Sequence, residues 1–251
     1  MALLQTIALT KRFGDFVAVN NVDFTVNKGE FLSLVGSNGA GKTTLVNLIS
    51  AQLNPDGGRI LFDDRDITAS SVSERIRAGI ARSFQLVSLF DGLSVLDNVA
   101  LAIFSREGKV RNLAALADGD REVLAEATEV LCLFGIENKR ALLASGLAQG
   151  ERKLLDVAVA YALKPKILFL DEPTSGVGTR DKGQIMDTVS GVVRSGAVTA
   201  VVIEHDMDIV FKYSDRVAVM HEGSMLADGT PAEIRANKEV ATVLLGAPAP
   251  S

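Results

Sequence analysis

Residues Gly36-Ser-Asn-Gly-Ala-Gly41-Lys42-Thr43 follow the pattern G-x-x-x-x-G-K-[ST] in full. Such a run is suited to holding phosphate. Glycines let successive backbone N–H groups close around an anion. A helix starting near Lys42 would turn the positive end of its dipole toward the same point. Lys42 supplies a charge for the β- and γ-phosphates, and Thr43 offers a hydroxyl to Mg²⁺. Ser37, Asn38, Gly39, Ala40, Gly41 and Thr44 complete the cradle. Chance alone would produce the pattern in a chain of this composition only about 0.01 times.

A second cluster completes the chemistry. Ile167-Leu-Phe-Leu-Asp171-Glu172-Pro173 is an apolar run that ends in two carboxylates. Asp171, at the end of a buried strand, can hold Mg²⁺ directly or through water. Glu172 is placed to act as general base toward an attacking water. An Asp-Glu pair by itself reads as a solvated turn; beside a phosphate loop it reads as the other half of a nucleotide site. His205 follows the apolar run Val198–Ile203 and can reach a γ-phosphate or orient the water. His221 reads as an ordinary surface or packing residue.

These groups need a scaffold. Phe31–Val35 is an apolar strand leading into the glycines, and helical spacing runs from Lys42 to about Gln52. Val22–Val26 and Arg59–Asp63 read as strands, with turns at Asn27-Lys-Gly29 and Asn54-Pro-Asp-Gly-Gly58. From about residue 90 to 160 the periodicity becomes helical, with Val123, Leu124, Ala127, Val130, Leu131 and Phe134 on one face. Arg106–Gly119 is polar and glycine-bearing and reads as a mobile connection, and the tail Gly246–Ser251 as frayed. Ile167–Leu170 and Val198–Ile203 have the continuous branched apolar character of strands buried on both faces of a mostly parallel sheet. Val217–Met220 and Ser224–Ala227 form a hairpin pattern around His221-Glu-Gly223. The pattern is an α/β sheet protein interrupted by a helical insert.

Composition narrows the partners. The 251 residues are 47% apolar and 23% charged, which excludes disordered, collagen-like and disulfide-scaffold classes. With 26 basic against 31 acidic residues the net charge is −5, which disfavours non-specific binding to nucleic acid. The single cysteine, Cys132, cannot form an internal disulfide and fits a reducing compartment. Apolar runs fall far short of the ~18–20 residues that cross a bilayer. The N-terminus lacks the basic leader and long apolar stretch of a secretory signal. Any membrane role is therefore expected through partner chains.

Over residues 5–246 the chain resembles the ATP-binding-cassette (ABC) ATPases. Gln85, in Ala81-Arg-Ser-Phe-Gln85, stands where that family has its glutamine loop. Leu147-Ala-Gln-Gly-Glu151 occupies the place of the signature motif, and Thr174-Ser-Gly-Val-Gly178 that of the loop after the catalytic glutamate. Phe13, in Lys11-Arg-Phe-Gly14, stands at the position of the aromatic that stacks on adenine, a simple core aromatic being the lesser alternative. The resemblance implies a RecA-like P-loop NTPase core with an N-terminal antiparallel β-subdomain, over 1–88 and 161–251, and an inserted α-helical subdomain over 89–160. It implies ATP and Mg²⁺ as ligands, with Thr43, Gln85 and Asp171 toward the metal and Glu172, His205 and Gln85 in catalysis. Two cassettes would pair head to tail, Ala148 and Gly150 of each facing the partner chain's ATP. Integral membrane permease subunits would place the pair on the cytoplasmic face of the membrane. Gly79–Gln85, Leu89-Phe90, Leu93–Val99, Asp228–Asn237 and Val243–Gly246 are most similar to the ATPases of branched-chain amino acid importers. Lipopolysaccharide- and lipid-export ATPases share much of the ending, and soluble ABC ATPases form a third class.

Three departures stand out against that family. Ala148 replaces the signature serine, removing a hydroxyl donor worth roughly 1.5–3 kcal/mol when it faces a charged group. Gly178 replaces an acidic or amide residue, and Ser37 a proline where only the backbone is needed. The phosphate loop, Asp171, Glu172 and His205 are intact while the signature is not. That asymmetry suggests pairing with a non-identical ATPase, a homodimer with two weakened sites being the other possibility.

Overall fold

The computed structural model describes residues 1–83, 89–108, 120–196 and 198–245. Strands β1 (Ala2–Phe13), β2 (Phe16–Asn27), β4 (Gly57–Phe62) and β5 (Arg65–Asp66) form an antiparallel sheet in the order β2-β1-β4-β5. A second sheet has the order β10-β9-β3-β8-β7-β6. Its members are β3 (Phe31–Gly36), β6 (Ile80–Arg82), β7 (Ile167–Asp171), β8 (Thr199–Ile203), β9 (Arg216–His221) and β10 (Ser224–Gly229). All its pairings are parallel except the β9–β10 hairpin. That hairpin turns on Glu222 and Gly223, at φ 46° and 79°, as a tight two-residue turn requires. The antiparallel subdomain, the mostly parallel core and the hairpin agree with the sequence expectation.

The helices are α1 (Lys42–Ile49), α2 (Val72–Ala78), α3 (Val95–Arg106), α4 (Arg121–Leu133) and α5 (Gln149–Ala162). They continue with α6 (Thr179–Arg194), α7 (Met207–Tyr213), α8 (Pro231–Ala236) and α9 (Lys238–Leu245). β3, β7 and β8 are buried at every residue, because both faces are covered. Ile167 and Phe169 join the apolar cluster containing α1 and the antiparallel sheet, whereas Leu168 and Leu170 join the one containing α3, α4, α5 and α6. Strand alternation thus divides one sequence run between two cores. On α4, Val123, Ala127, Val130 and Leu131 are buried, with Phe134 just beyond the helix. Leu124, expected on the same face, is half-buried at its edge. Residues 109–119, most of the expected connection after α3, and the tail from 246 lie outside the described residues.

α1 ends three residues before the expected Gln52. Ala51 takes φ 61°, and the Ser50 hydroxyl donates to Val46 O over 2.8 Å. Arg75, fully buried on α2, closes the end: its guanidinium donates to Leu48 O (2.5 Å), Ile49 O (2.8 Å) and Thr68 O (2.9 Å). Leu48 and Ile49 lie in the last turn of α1, and a cation there suits the negative end of the helix dipole.

The helical layer meets the sheet through buried polar groups on α5. Lys153 donates to Glu172 O and to Ser175 Oγ, both at 3.2 Å. Asp156, one turn along, is 8% exposed. Burial pushes its carboxyl up to about 7, against the opposing pull of Lys153 and a hydrogen bond from Ser83. An unfolded aspartate ionises near 3.8, so the folded state holds this proton more tightly and stability falls as pH rises from about 4 to about 7. Asp156→Asn is expected to leave stability nearly unchanged at pH 4. At pH 8 it should raise stability by on the order of 2–4 kcal/mol, read from urea midpoints across pH. A constant difference between pH 4 and 8 would contradict this.

Candidate active site

The phosphate loop lies at the carboxyl end of β3, with α1 starting at Lys42. Gly41 takes φ 100°, and a Cβ there would sit 2.4 Å from Ala18 O on β2. At Gly36 an added Cβ would lie 2.3 Å from Met220 O on β9. Neither carbonyl belongs to a flexible side chain, so both positions demand glycine. Lys42 is 6% exposed, and its ammonium donates to Gly36 O (2.7 Å) and Ser37 O (3.0 Å). Burial lowers its pKa, while the charges of Glu172 and Asp171 pull the other way.

A cavity of about 240 Å³ opens over this loop. Asn38, Gly39, Ala40, Gly41, Lys42, Thr43 and Thr44 line it, together with Glu172, Ile203, His205, Ala18 and Phe16. The expected loop residues from Asn38 to Thr44 are thus brought together with Glu172 and His205, while Ser37 is not part of the wall. Glu172 Oε1 lies 3.1 Å from His205 Nε2. Glu172 holds φ 49°, a left-handed backbone that non-glycine residues rarely adopt, and its N–H donates to Ile203 O. Asp171, 5% exposed, is held by Arg82 over 2.7 Å.

Phe13 is absent from the cavity wall, and Phe16 stands there instead. The two rings are cross-strand partners at the end of the β1–β2 hairpin, but β2 is the strand that runs against the loop, and β1 lies one strand further away. The Phe13 ring is 48% exposed, with the Lys11 ammonium 5.7 Å from its centroid. Gln85 lies outside the described residues.

The signature segment behaves as a helix start. Ala148 is the N-cap of α5, and its N–H donates to Glu151 Oε2 at 3.0 Å. A methyl group cannot return the bond that a serine hydroxyl would give to the first turn. A Cβ added at Gly150 would lie 3.4 Å from Asp181 Cβ, and one at Gly176 2.4 Å from Gln149 Nε2. The signature therefore packs on its own chain's loop after Glu172.

Sequence reasoning missed the groups that fix that loop. Buried Glu204 accepts from Thr174 N–H (3.1 Å) and Thr174 Oγ1 (2.6 Å), and its other oxygen accepts from His205 N–H (3.2 Å). With Lys153 it ties the segment after Glu172 to the strand end that carries His205. The one available signal was an acidic residue ending an otherwise apolar strand.

A phosphate loop of this kind beside Asp171, Glu172 and His205, with a helix that starts at the signature segment, defines a nucleotide-hydrolysing cassette. The chain belongs to the ABC transporter family, whose sequence profile matches residues 19–175. It is 34% identical over 249 residues to the high-affinity branched-chain amino acid transport ATP-binding protein LivG of Escherichia coli K12, covering 97% of this chain and 98% of that protein. Identity is 33% to BraF, a protein of the same description from Pseudomonas aeruginosa, with 97% and 98% covered. The crystal structure of the ADP conformation of MJ1267, an ATP-binding cassette of an ABC transporter, superposes with a TM-score of 0.86 at 30% identity, over 98% of this chain and all of that one. The protein is an ATP-binding cassette subunit of this family.

Phe16→Ala is expected to weaken ATP binding by about 1–3 kcal/mol if Phe16 carries the base, with Phe13→Ala within about twofold of wild type. Calorimetric titration of both variants decides the assignment, and the reverse ranking would return it to Phe13.

Proposed function

We propose that the chain binds Mg-ATP on the 36–44 loop and hydrolyses it when a second cassette closes over the site. Hydrolysis would drive import of a branched-chain amino acid, or a related small polar solute, through membrane permease subunits at the cytoplasmic face. The observation that carries the catalytic part is the 3.1 Å contact between Glu172 Oε1 and His205 Nε2 at the wall of the phosphate cavity. A carboxylate over the phosphate end of the loop can take a proton from water, and an imidazole beside it can fix that carboxylate and reach the terminal phosphate. The kinship with LivG and BraF supports the substrate class.

The donor set fits magnesium. Thr43 offers a hydroxyl and Asp171 a carboxylate, hard oxygen ligands of the kind Mg²⁺ takes alongside substrate phosphates. When bound, Mg²⁺ would neutralise charge on the β- and γ-phosphates; Gln85 is proposed to join Thr43 and Asp171 toward it.

Among the described residues no helix is long and apolar enough to cross a membrane, so permease subunits would supply the membrane path. Ala148 and Gly150 would face the partner's ATP. Ala148 lacks a donor hydroxyl, so the site it completes is the weaker, and we favour a non-identical second cassette. Nucleotide bridging two chains would favour the closed pair, and loss of the terminal phosphate the open one.

Glu172→Gln is expected to bind ATP within a few-fold of wild type, lose at least about 100-fold in turnover, and accumulate as a nucleotide-bridged pair on size exclusion. Hydrolysis near the wild-type rate would remove Glu172 as base. In the assembled transporter, the two sites are expected to differ in single-turnover rate, and equal rates would contradict the unequal pair.

A further inference from the structure

Arg82 stands where three parts of the site meet. It is the last residue of β6, the strand that leads toward Gln85. Its Nη2 donates to Asp171 Oδ2 at 2.7 Å, and its Nη1 to Asn47 Oδ1 at 2.5 Å, with a longer reach of 3.4 Å to Gln52 Oε1. The arginine and aspartate side chains are only 8% and 5% exposed. Asn47 lies one helical turn beyond Thr43 on α1. One planar guanidinium therefore joins the strand end bearing Asp171, the helix of the phosphate loop and the strand feeding the glutamine loop.

Holding β6 in the sheet does not require this pair. The parallel ladder Ile80–Arg82 to Ile167–Phe169 already does so, and burying two charges costs roughly what their attraction returns. The requirement lies at Asp171. A carboxylate that serves a cation works only if its direction is fixed, and the hydrogen-bonding partner behind it fixes it. Arg82 takes Oδ2 alone, which leaves Oδ1 for a cation or its water. A lysine could not do the same, since a point charge cannot bridge Asp171 and Asn47 as a guanidinium fork does.

We infer that Arg82 is a positioning residue for Asp171, holding one carboxylate oxygen toward the cation of Mg-ATP and locking it to the helix that carries Thr43. This rests on the reading that Asp171 serves that cation. The test is calorimetric titration of the full chain with ATP, once in EDTA and once in Mg²⁺, for wild type, Arg82→Met, Arg82→Lys, Asp171→Asn and the double variant Arg82→Met/Asp171→Asn. Wild type should bind more tightly with Mg²⁺. In Arg82→Met the metal-dependent tightening should shrink about 10-fold or more, with affinity in EDTA within about twofold. Arg82→Lys should fall between, and the double variant should match Asp171→Asn alone. Full tightening in Arg82→Met, equal losses with and without metal, or additive losses in the double variant would each overturn the inference. If Arg82→Met does not fold, Arg82→Lys decides: undiminished tightening there overturns it. Wild type with no metal-dependent tightening would sink the magnesium reading, and the inference with it.

Discussion

Two backbone carbonyls, Met220 O and Ala18 O, press against the phosphate loop where any side chain would collide with them. They belong to different sheets, one to β9 of the parallel sheet and one to β2 of the antiparallel sheet. The loop is thus clamped between the two layers, and its N–H groups are fixed before any anion arrives. Preorganised donors cost little further ordering when the ligand binds. The rest of the site depends on this clamp. Lys42 and Thr43 begin the helix it launches, Arg75 secures that helix at its far end, and the cavity wall is completed by the strand ends beside it.

Around the loop, the buried charges are distributed so that each holds a segment the chemistry needs. Glu204 fixes Thr174 and the backbone at His205, and Lys153 fixes the carbonyl of Glu172. Lys153 lies one turn along the helix that begins at the signature segment. The same helix that would face a partner's nucleotide therefore grips the backbone of Glu172, the proposed general base of this chain. Lys153 couples α5 to the backbone of Glu172 and to Ser175, which gives a physical route from closure of the pair to the site.

What was legible in the sequence was local. The glycine spacing, the apolar run into Asp171 and the hairpin at Glu222-Gly223 are contiguous patterns whose backbone needs can be read from neighbouring residues. Arg75, Lys153 and Glu204 were not legible, because each acts on a segment far away in sequence and looks like an ordinary charged residue in its own. The place of Phe16 on the cavity wall was not legible for a related reason. Choosing between two aromatics across a two-residue turn requires knowing which strand lies against the loop. The end of α1 was placed too late because the helix stops where Ala51 turns into a left-handed backbone, a conformation that an alanine, unlike a glycine, does not announce in the sequence.

The central claim is that the site is completed only by a second cassette. The most direct measurement is ATP turnover per subunit as protein concentration is varied through the association range, at saturating Mg-ATP. The account predicts that turnover per subunit rises steeply with concentration and vanishes on dilution. A rate per subunit that stays constant across dilution would contradict it.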